Sequence, residues 1–354
     1  MNSVQLLKKL SLTKGISGFE TPVKKIFKEE LANISDFQFD NLGSISVELS
    51  GHSDKPRILL VGHMDEVGFI VRDITKQGLL KFHPIGGWNP LTLLSAPVTV
   101  INKDKEELPG IISSIPTHFR KEAKSKVGIK DMFLDVGATS EEEVKKIFKI
   151  DIGAPVIPRS IYHYNKKTRR MISKAFDDRV GVAATIETAK KFQNQSHPNT
   201  LICAGSVQEE VGTRGAHTVA ELTKPDIAII VEGAPADDFP GNPNNPQTSL
   251  DNGAHLRLFD PSMLVKKELK DFVLNLAEEK NIKCQPTVRT GGGTDGKTIH
   301  LKKLGIPSIV LGVPVRYAHT HNCIMSMNDF DELLKLIEAI IQKLDKEALE
   351  KIVS

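Results

Sequence analysis

The continuous apolar run RILLVGH, residues 57–63, constrains the fold more than any other stretch of this 354-residue chain. A strand that is apolar throughout is typical of a sheet whose two faces are both covered by helices. Later runs of the same character are TLICAGS, IAIIV and SIVLGV. Helical patterns are found at residues 3–14, 20–34, 180–193, 263–280 and 327–350. The sequence therefore predicts an α/β protein.

The sequence pattern changes from long apolar runs and helices to short alternating segments between residues 69 and 168. Short alternating segments such as GFIVRDI and APVTVIN are separated there by Gly, Pro and Asn-Lys-Asp turns, which is typical of a small all-β unit. A chain of this length also exceeds one ordinary domain. We therefore predict a discontinuous α/β domain, residues 1–68 and 169–354, into which a β-rich domain of residues 69–168 is inserted.

The overall composition is that of a soluble globular protein and gives no support to a nucleic-acid or membrane-surface role. The 47 Lys and Arg residues nearly cancel the 44 Asp and Glu residues, and the basic residues are scattered. No stretch has the length of a signal peptide or a membrane span. The three cysteines, Cys203, Cys284 and Cys323, lack C-x-x-C spacing, so a reducing cytoplasm is expected and a thiolate zinc site is not. Cys323 lies near histidines and is an alternative nucleophile, although a plain buried or surface thiol is favoured.

Polar side chains collect where the apolar runs end. The runs lead to His63, to Glu209 and Glu210, to Glu232 and to His319. Asp65 follows His63 closely, and KAFDDRVG supplies Asp177 and Asp178 just before a helix. Ligands bind beyond the carboxyl ends of strands in open α/β sheets. Histidine and carboxylate ligands without cysteine suit Zn²⁺, Co²⁺ or Mn²⁺.

The adjacent glutamates Glu209 and Glu210 suggest how such a site would work. Two like charges at a core boundary are costly unless a cation lies between them or one is protonated. The ligand set is larger than one catalytic ion needs, whereas two ions that share a carboxylate would use all of it. One glutamate would then be a ligand and the other a general base, provided that the backbone turns at this point.

Each motif alone has an ordinary structural interpretation. His63 could be a hydrogen-bonded core histidine, Asp177 and Asp178 could form a helix N-cap, and a Glu-Glu pair in a loop is usually solvated. Their joint placement at strand ends within one predicted domain favours the metal site.

Six ordered motifs resemble one known family. GHMDEVGF, KAFDDRVG, VQEEVGTRGA, ADDFPG, GGGTDG and RYAHTH resemble the dinuclear metallo-aminopeptidases of the tetrahedral (TET), or glutamyl aminopeptidase, family, some members of which were once labelled endoglucanase. The resemblance extends from ISGFE near the start to the helix after His319. It implies a three-layer α/β/α metallopeptidase domain with a mixed sheet and an inserted all-β dimerisation domain.

The resemblance also implies a role for each motif. His63 would bind one ion, Glu210 and His319 the other, Asp177 would bridge both, and Glu232 would be a terminal ligand. Glu209 would be the general acid and base, and Asp65 would orient His63. The Asp177–Asp178 peptide bond would be cis. Thr294 and Asp295 would form a wall of the substrate pocket.

Two positions leave alternatives open. The family usually has aspartate where this chain has Glu232, which could change metal preference or affinity, and Asp237 or Asp238 is the alternative ligand. His321 competes with His319, although the motif favours His319.

The activity implied is removal of N-terminal residues from short peptides, with two divalent ions per chain. Dimers would assemble into a hollow dodecamer, and His83 of the inserted domain could approach a neighbouring subunit's site. PIGGWNPLTLL, with the single tryptophan Trp88, fits either an interface or a domain core. The alternatives are a metal-dependent deacylase or deblocking amidohydrolase, a scaffold made inactive by Glu232, and, remotely, a glycoside hydrolase. One tryptophan offers few sugar-stacking surfaces, and a glycosidase would leave the histidines unexplained.

Overall fold

The computed structural model describes residues 1–34, 36–119, 127–241 and 246–354. The elements before the change of pattern are α1 (Ser3–Leu12), α2 (Thr21–Glu30), β1 (Phe37–Phe39), β2 (Ile45–Ser50) and β3 (Arg57–His63). The next group is β4 (Gly68–Ile74), β5 (Leu80–Ile85), β6 (Pro97–Ile101), β7 (Glu107–Ser114), β8 (Met132–Asp135), α3 (Glu141–Lys146) and β9 (Pro155–Pro158). The remainder is β10 (His163–Asn165), β11 (Arg170–Ser173), α4 (Phe176–Phe192), β12 (Thr200–Ser206), α5 (Arg214–Thr223), β13 (Ile227–Pro235), β14 (Ala254–Asp260), β15 (Met263–Leu264), α6 (Lys267–Glu279), β16 (Cys284–Val288), α7 (Gly296–Ile299), β17 (Ser308–Arg316), β18 (Cys323–Ser326), α8 (Met327–Lys343) and α9 (Lys346–Val353).

Twelve of these strands form one mixed sheet, as predicted. Its main path is β1-β2-β12-β3-β13-β17-β18-β11-β10, and β14, β15 and β16 branch from β17. The central strands β12, β3, β13 and β17 are parallel, and their apolar runs are buried almost throughout. The flanking strands pair antiparallel, including the hairpin of β1 and β2. The carboxyl ends of the central strands therefore meet at one edge of the sheet.

Helices cover both faces of this sheet and complete the α/β/α arrangement. Helix α4 packs on β3, β12 and β13 and also contacts α1 and α8. Helices α5 and α7 contact each other, and they pack on β12 and on β13 and β17 respectively. Gly62 of β3 permits a close crossing of α4, since a Cβ at that position would lie 2.4 Å from the carbonyl carbon of Gly181. This close approach brings the start of α4 to the end of β3.

The six strands β4 to β9 close into a small barrel in the order β4-β5-β8-β7-β6-β9. The barrel has its own apolar core, which includes Phe69, Leu80 and Val156. Trp88 stacks on Phe69 with ring centroids 4.7 Å apart, so this tryptophan belongs to the barrel, while Leu91 three residues later is exposed. The last barrel strand ends at Pro158, and β10 already pairs in the large sheet. The change from barrel to sheet thus falls a few residues before the predicted boundary at residue 168, because β10 and β11 form a hairpin on the sheet edge.

A buried ion cluster lies where the chain leaves and re-enters the large sheet. Lys174 donates to both carboxylate oxygens of Glu66 at 2.5 Å, and Arg179 lies 3.3 Å from the same carboxylate. All three side chains are less than 5% exposed. Burial, only partly opposed by Glu66, lowers the pKa of Lys174 to about 8. The cluster ties the start of β4 to the segment that precedes α4.

Two predicted helices differ from the structure. The predicted helix at 263–280 begins only at Lys267, because Met263 and Leu264 pair with β14 as the short strand β15. The predicted terminal helix at 327–350 is two helices, since Asp345 leaves helical geometry and caps α9 by accepting from the amide of Ala348. No helix in the described ranges has the length and apolarity of a membrane span.

Candidate active site

The first group of candidate ligands lies at the edge where β3 and β13 end. The sheet register places Ile230 opposite Val61, so Glu232 and His63, two residues further along each strand, come side by side. The Nε2 atom of His63 lies 3.7 Å from an oxygen of Glu232 and 3.2 Å from Oδ1 of Asp177 at the start of α4. These three side chains could together hold one metal ion.

The second group shares Asp177 with the first. The Nε2 atom of His319 lies 3.4 Å from Oδ2 of Asp177 and 3.3 Å from Oε1 of Glu210. The two carboxylate oxygens of Asp177 are thus directed to different histidines. A shared aspartate of this kind is suited to bridge two ions.

The chemistry of both groups fits divalent cations. Within each group the candidate ligand atoms all lie within 4.8 Å of one another. Among the described residues, Oε1 of Glu232 is buried and has no hydrogen-bond partner, a state that is costly for a carboxylate unless something positive binds it. Imidazole and carboxylate ligands match the preferences of Zn²⁺, Co²⁺ and Mn²⁺.

The site holds protons strongly when no ion is bound. Burial disfavours the imidazolium of His63, but hydrogen bonds to Asp177 and Asp65 outweigh it and raise the His63 pKa well above its usual value. The same balance raises the pKa of His319 to about 11, through Asp177 and Glu210. Burial raises the pKa of Glu232 well above its usual range, and the neighbouring aspartates add to this shift. Each of these protons must leave before a metal can bind at that atom.

Asp65 connects His63 to the turn that carries the two glutamates. Its buried carboxylate lies 3.4 Å from Nδ1 of His63 and accepts the amide hydrogens of Glu209 at 3.0 Å and Glu210 at 3.1 Å. It also accepts a hydrogen bond from the Ser17 hydroxyl at 2.6 Å. The residue predicted to orient His63 therefore also fixes the backbone of Glu209 and Glu210.

The turn after β12 separates the roles of the two glutamates. The backbone leaves extended geometry at Gln208, whose φ is +57°, as the Glu-Glu sequence had suggested. Glu210 joins the second ligand group, whereas Glu209 belongs to neither group and lines the adjacent cavity. Burial raises the Glu209 pKa well above its usual range, although His63 opposes the shift. A carboxylate with these properties beside the ligands is suited to general acid–base chemistry.

Asp178 and Gly233 hold Asp177 in position. Asp178 is fully buried; its carboxylate accepts the amide hydrogen of His63 at 3.0 Å and that of Gly181 at 2.8 Å, so it caps α4 and anchors β3. The Asp177–Asp178 peptide bond is cis. A Cβ at Gly233 would lie 2.7 Å from the backbone nitrogen of Asp177, so only glycine leaves room for this close approach.

The ligand groups open into a cavity of about 580 Å³. Its wall away from the ligands contains Arg257 of β14, Arg289 after β16, and Lys297 of α7. Sequence patterns did not point to these basic residues, because neither β14 nor β16 was predicted as a strand; the only available signal was their charge.

The glycine-rich loop contributes to this wall differently from the prediction. Gly291, Gly292 and Gly293 line the cavity. Thr294 and Asp295, the predicted substrate contacts, are instead 1% exposed and lie behind the wall, where Asp295 accepts a hydrogen bond from Ser206. The backbone of the loop faces the cavity because these two polar side chains are used inside the fold.

The alternative ligands lie outside both groups. Asp237 pairs with Arg289, and Asp238 forms a bidentate pair with Arg316. His321 is buried against Trp88, with ring centroids 5.4 Å apart. The geometry thus favours Glu232 and His319 in the positions left open by the sequence.

The cysteine and the barrel histidine also lie apart from the ligand groups. The Cys323 thiol donates to the carbonyl of Tyr317, and burial raises its pKa to about 12, so it is not an activated nucleophile. His83 is exposed on β5.

Paired histidine–carboxylate groups at the strand ends of an α/β/α sheet define a candidate metal-dependent hydrolase. Residues 43–336 match the M42 glutamyl aminopeptidase family. The chain is 33% identical to a glutamyl aminopeptidase of Lactococcus lactis over 98% of both proteins. The chain therefore belongs to the M42 family and is a metal-dependent aminopeptidase, a peptide hydrolase.

Solved structures agree with this assignment. The TET aminopeptidase of a marine sediment archaeon of the Thaumarchaeota is 39% identical, with a TM-score of 0.95 over 99% of both chains. The TET1 peptidase of Pyrococcus horikoshii, which can assemble into a tetrahedron or a large octahedral shell, is 30% identical. Its TM-score is 0.86, with 97% of this chain and 100% of that chain covered.

Proposed function

We propose that this aminopeptidase removes N-terminal residues from short peptides with two divalent ions, Zn²⁺, Co²⁺ or Mn²⁺, and with Glu209 as general base. The observation that carries the proposal is the placement of the carboxylates at the strand ends. Asp177 directs one oxygen to each of two histidine–carboxylate groups, while Glu209, next to the ligand Glu210, belongs to neither. His63 and Glu232 would hold one ion, and Glu210 and His319 the other.

The residues of the chain account for the proton transfers of this reaction. When bound, the ions would polarise the scissile carbonyl and lower the pKa of the attacking water. Glu209 accepts the proton of that water and later donates it to the departing amine nitrogen. Asp65 keeps Glu209 in place through its backbone amide and keeps the His63 ring oriented. One carboxyl group that alternates between its charged and its protonated form thus suffices for both transfers.

We further propose that the preferred N-terminal residue is acidic. Apart from the carboxylates of the ligand groups and Glu209, the charged residues that line the cavity in the described part of the chain are Arg257, Arg289 and Lys297. Asp260 and Asp237 pair with the two arginines, but the structure gives Lys297 no ion pair among the described residues. Lys297 thus gives this wall an excess of positive charge, which would attract a substrate carboxylate and repel a lysine side chain.

We propose a homo-oligomer of dimers that assemble into a dodecamer, with the barrel as the dimerisation unit. The assembly of the Pyrococcus horikoshii relative supports this, as do exposed apolar residues on and beside the barrel, among them Leu91, Ile111 and Ile152. The three cysteines are free thiols, which suits the proposed cytoplasmic location. Light scattering of the purified protein would measure the assembly, and a monomer would contradict this part of the proposal.

The test combines metal content with a matched panel of peptides. We expect about two ions per chain, cleavage of free-amine peptides that chelation abolishes, and no cleavage of their N-acetylated forms. Preference for acetylated peptides would instead establish a deacylase. Peptides that begin with Glu, Lys or Leu and are otherwise identical test the side-chain preference.

The role of Glu209 is tested separately. Glu209→Gln keeps the shape but not the base, so kcat should fall about 10²–10⁴-fold while both ions stay bound. Glu142→Gln, at an exposed position on α3, is the control and should be fully active. A Glu209→Gln enzyme with normal kcat would refute the role of Glu209 as general base.

A further inference from the structure

The segment GISGFE, residues 15–20, connects α1 and α2 and supplies no residue to the ligand groups or to the cavity lining. It runs beside the chain that leaves β3, where Ile16 forms a parallel bridge with Glu66. The amide of Glu66 donates to the carbonyl of Gly15 at 3.0 Å. The segment therefore lies directly against the connection that contains Asp65.

Two side chains of this segment contact the groups that hold the backbone of Glu209, the proposed general base. Ser17 donates to Oδ2 of Asp65 at 2.6 Å, and both residues are buried. Glu20 is 5% exposed, and its Oε1 atom accepts the amide hydrogen of Gln208 at 3.1 Å as well as that of Gly18 at 2.8 Å. Ser17 thus fixes the acceptor of the Glu209 amide, and Glu20 fixes the residue immediately before Glu209.

Gln208 is the point at which this support matters most. Its left-handed backbone conformation is unfavourable for a non-glycine residue, so neighbouring contacts must hold it. In that conformation its amide hydrogen points to Glu20 and takes no part in the β12 ladder. Without the Glu20 acceptor, the partly buried amide of Gln208 would lose its hydrogen-bond partner. The turn at Gln208 would then relax toward a more favourable backbone conformation.

We propose that Ser17 and Glu20 form a clasp that positions Glu209 for proton transfer. The proposal rests on the proposed function. Neither residue belongs to a ligand group or lines the cavity, so both are positioning residues. The clasp works through a hydroxyl donor and a carbonyl-type acceptor oxygen, and it does not require a negative charge on Glu20.

This distinction makes the clasp testable by matched variants. Glu20→Ala removes the acceptor, whereas Glu20→Gln keeps an oxygen that can accept the same amide hydrogen. We expect Glu20→Ala to lower kcat about 10- to 100-fold, because a displacement of about 1 Å at a catalytic group has effects of this size. The KM should change less than about threefold and two ions should stay bound. Glu20→Gln should lie within about threefold of the unmodified kcat, as should the control Glu29→Ala at an exposed position on α2.

A second measurement does not depend on activity. Hydrogen exchange followed by mass spectrometry should show faster exchange of the peptide that contains Gln208, Glu209 and Glu210 in Glu20→Ala and in Ser17→Ala. The same peptide should exchange normally in Glu20→Gln. If the unmodified enzyme cleaves no peptide, the proposed function fails while this exchange result still tests the clasp.

Three results would overturn the clasp. The first is a Glu20→Ala enzyme with unchanged kcat and unchanged exchange. The second is an equal loss in Glu20→Ala and Glu20→Gln, which would show that the charge and not the acceptor matters. The third is loss of a metal ion from a folded Glu20→Ala protein, which would show that Glu20 supports the ligand Glu210 and not Glu209.

Discussion

Metal binding to this chain should be an exchange of ions for protons, and the structure sets the expected number. The Nε2 atom of His63 lies against Asp177 and its Nδ1 atom against Asp65, so both ring nitrogens face oxygen acceptors. The Nε2 atom of His319 lies between Asp177 and Glu210. Both imidazole pKa values are raised, that of His319 to about 11, so both rings are protonated near pH 7. Loading two ions at these Nε2 atoms must therefore displace at least these two protons, and any proton held by Glu232 adds to the number.

The magnitude follows from this count. Each proton exchanged changes the free energy of metal binding by about 1.4 kcal/mol per pH unit, so two protons give about 2.7 kcal/mol per pH unit. The folding stability of the metal-free protein changes with pH in the opposite direction: it falls as the pH rises. A histidine whose pKa is raised on folding contributes stability that is fully present below the unfolded value, about 6.5, and is lost as the pH rises through the folded value. The raised pKa of Glu232 acts in the same direction from about pH 4.5 upwards. The loaded and metal-free proteins should therefore diverge in stability between pH 6.5 and 8.5.

Calorimetric titration with Zn²⁺ or Co²⁺ in buffers of different ionisation enthalpy measures the protons released. We expect at least two at pH 7.5, about one fewer in His319→Ala than in the unmodified protein, and an unchanged number in His83→Ala, at the exposed barrel histidine. Thermal unfolding should show that the stabilisation by metal grows from pH 6.5 to 8.5. Release of no proton, or a stabilisation that shrinks with rising pH, would refute the charge states assigned to the two histidines.

Three further substitutions test the support of the site and its wall. Asp65→Asn keeps the shape but replaces an acceptor oxygen by a donor that faces other donors; metal affinity measured by chelator competition should fall about 10- to 100-fold, and unchanged affinity would contradict the role of Asp65. Gly233→Ala should displace Asp177 and reduce the metal content of a protein that still folds by circular dichroism, so full occupancy would count against the close approach. Lys297→Glu should lower kcat/KM for peptides that begin with Glu about tenfold and raise it for those that begin with Lys, and an unaltered ratio would remove Lys297 from the specificity wall.

The sequence was sufficient for features that depend on local pattern. A buried parallel strand such as β3 is apolar throughout, and the side chain that follows it must lie at the sheet edge; this is why His63 and Glu232 could be placed in advance. The turn at Gln208 was predictable because adjacent side chains in a strand point to opposite faces. Glu209 and Glu210 could therefore reach one site only if the backbone left the strand conformation. The hairpin of β1 and β2 was predictable from the turn residues between its two strands.

Features that depend on distant contacts were not predictable in this way. Arg257 and Arg289 reach the cavity because β14 and β16 pair with each other and β14 pairs with β17, which no local pattern reveals. Asp178 looked like a helix cap and is one, but its second acceptor contact, to the His63 amide, spans 115 residues. Thr294 and Asp295 turn away from the cavity because Ser206, on another strand, offers Asp295 a partner.

The buried pair of Glu66 and Lys174 has a consequence for the order in which this protein folds. The pair joins positions 108 residues apart, and closing a flexible loop of that length costs on the order of 4 kcal/mol of chain entropy. The barrel removes much of this cost, because its first and last strands pair with each other, with Phe69 opposite Val156. Once the barrel has formed, the two ends of the loop are already neighbours. Damage to the barrel far from the ligands would thus lower the effective concentration of Asp177 near His63, and metal affinity would fall although no ligand had changed.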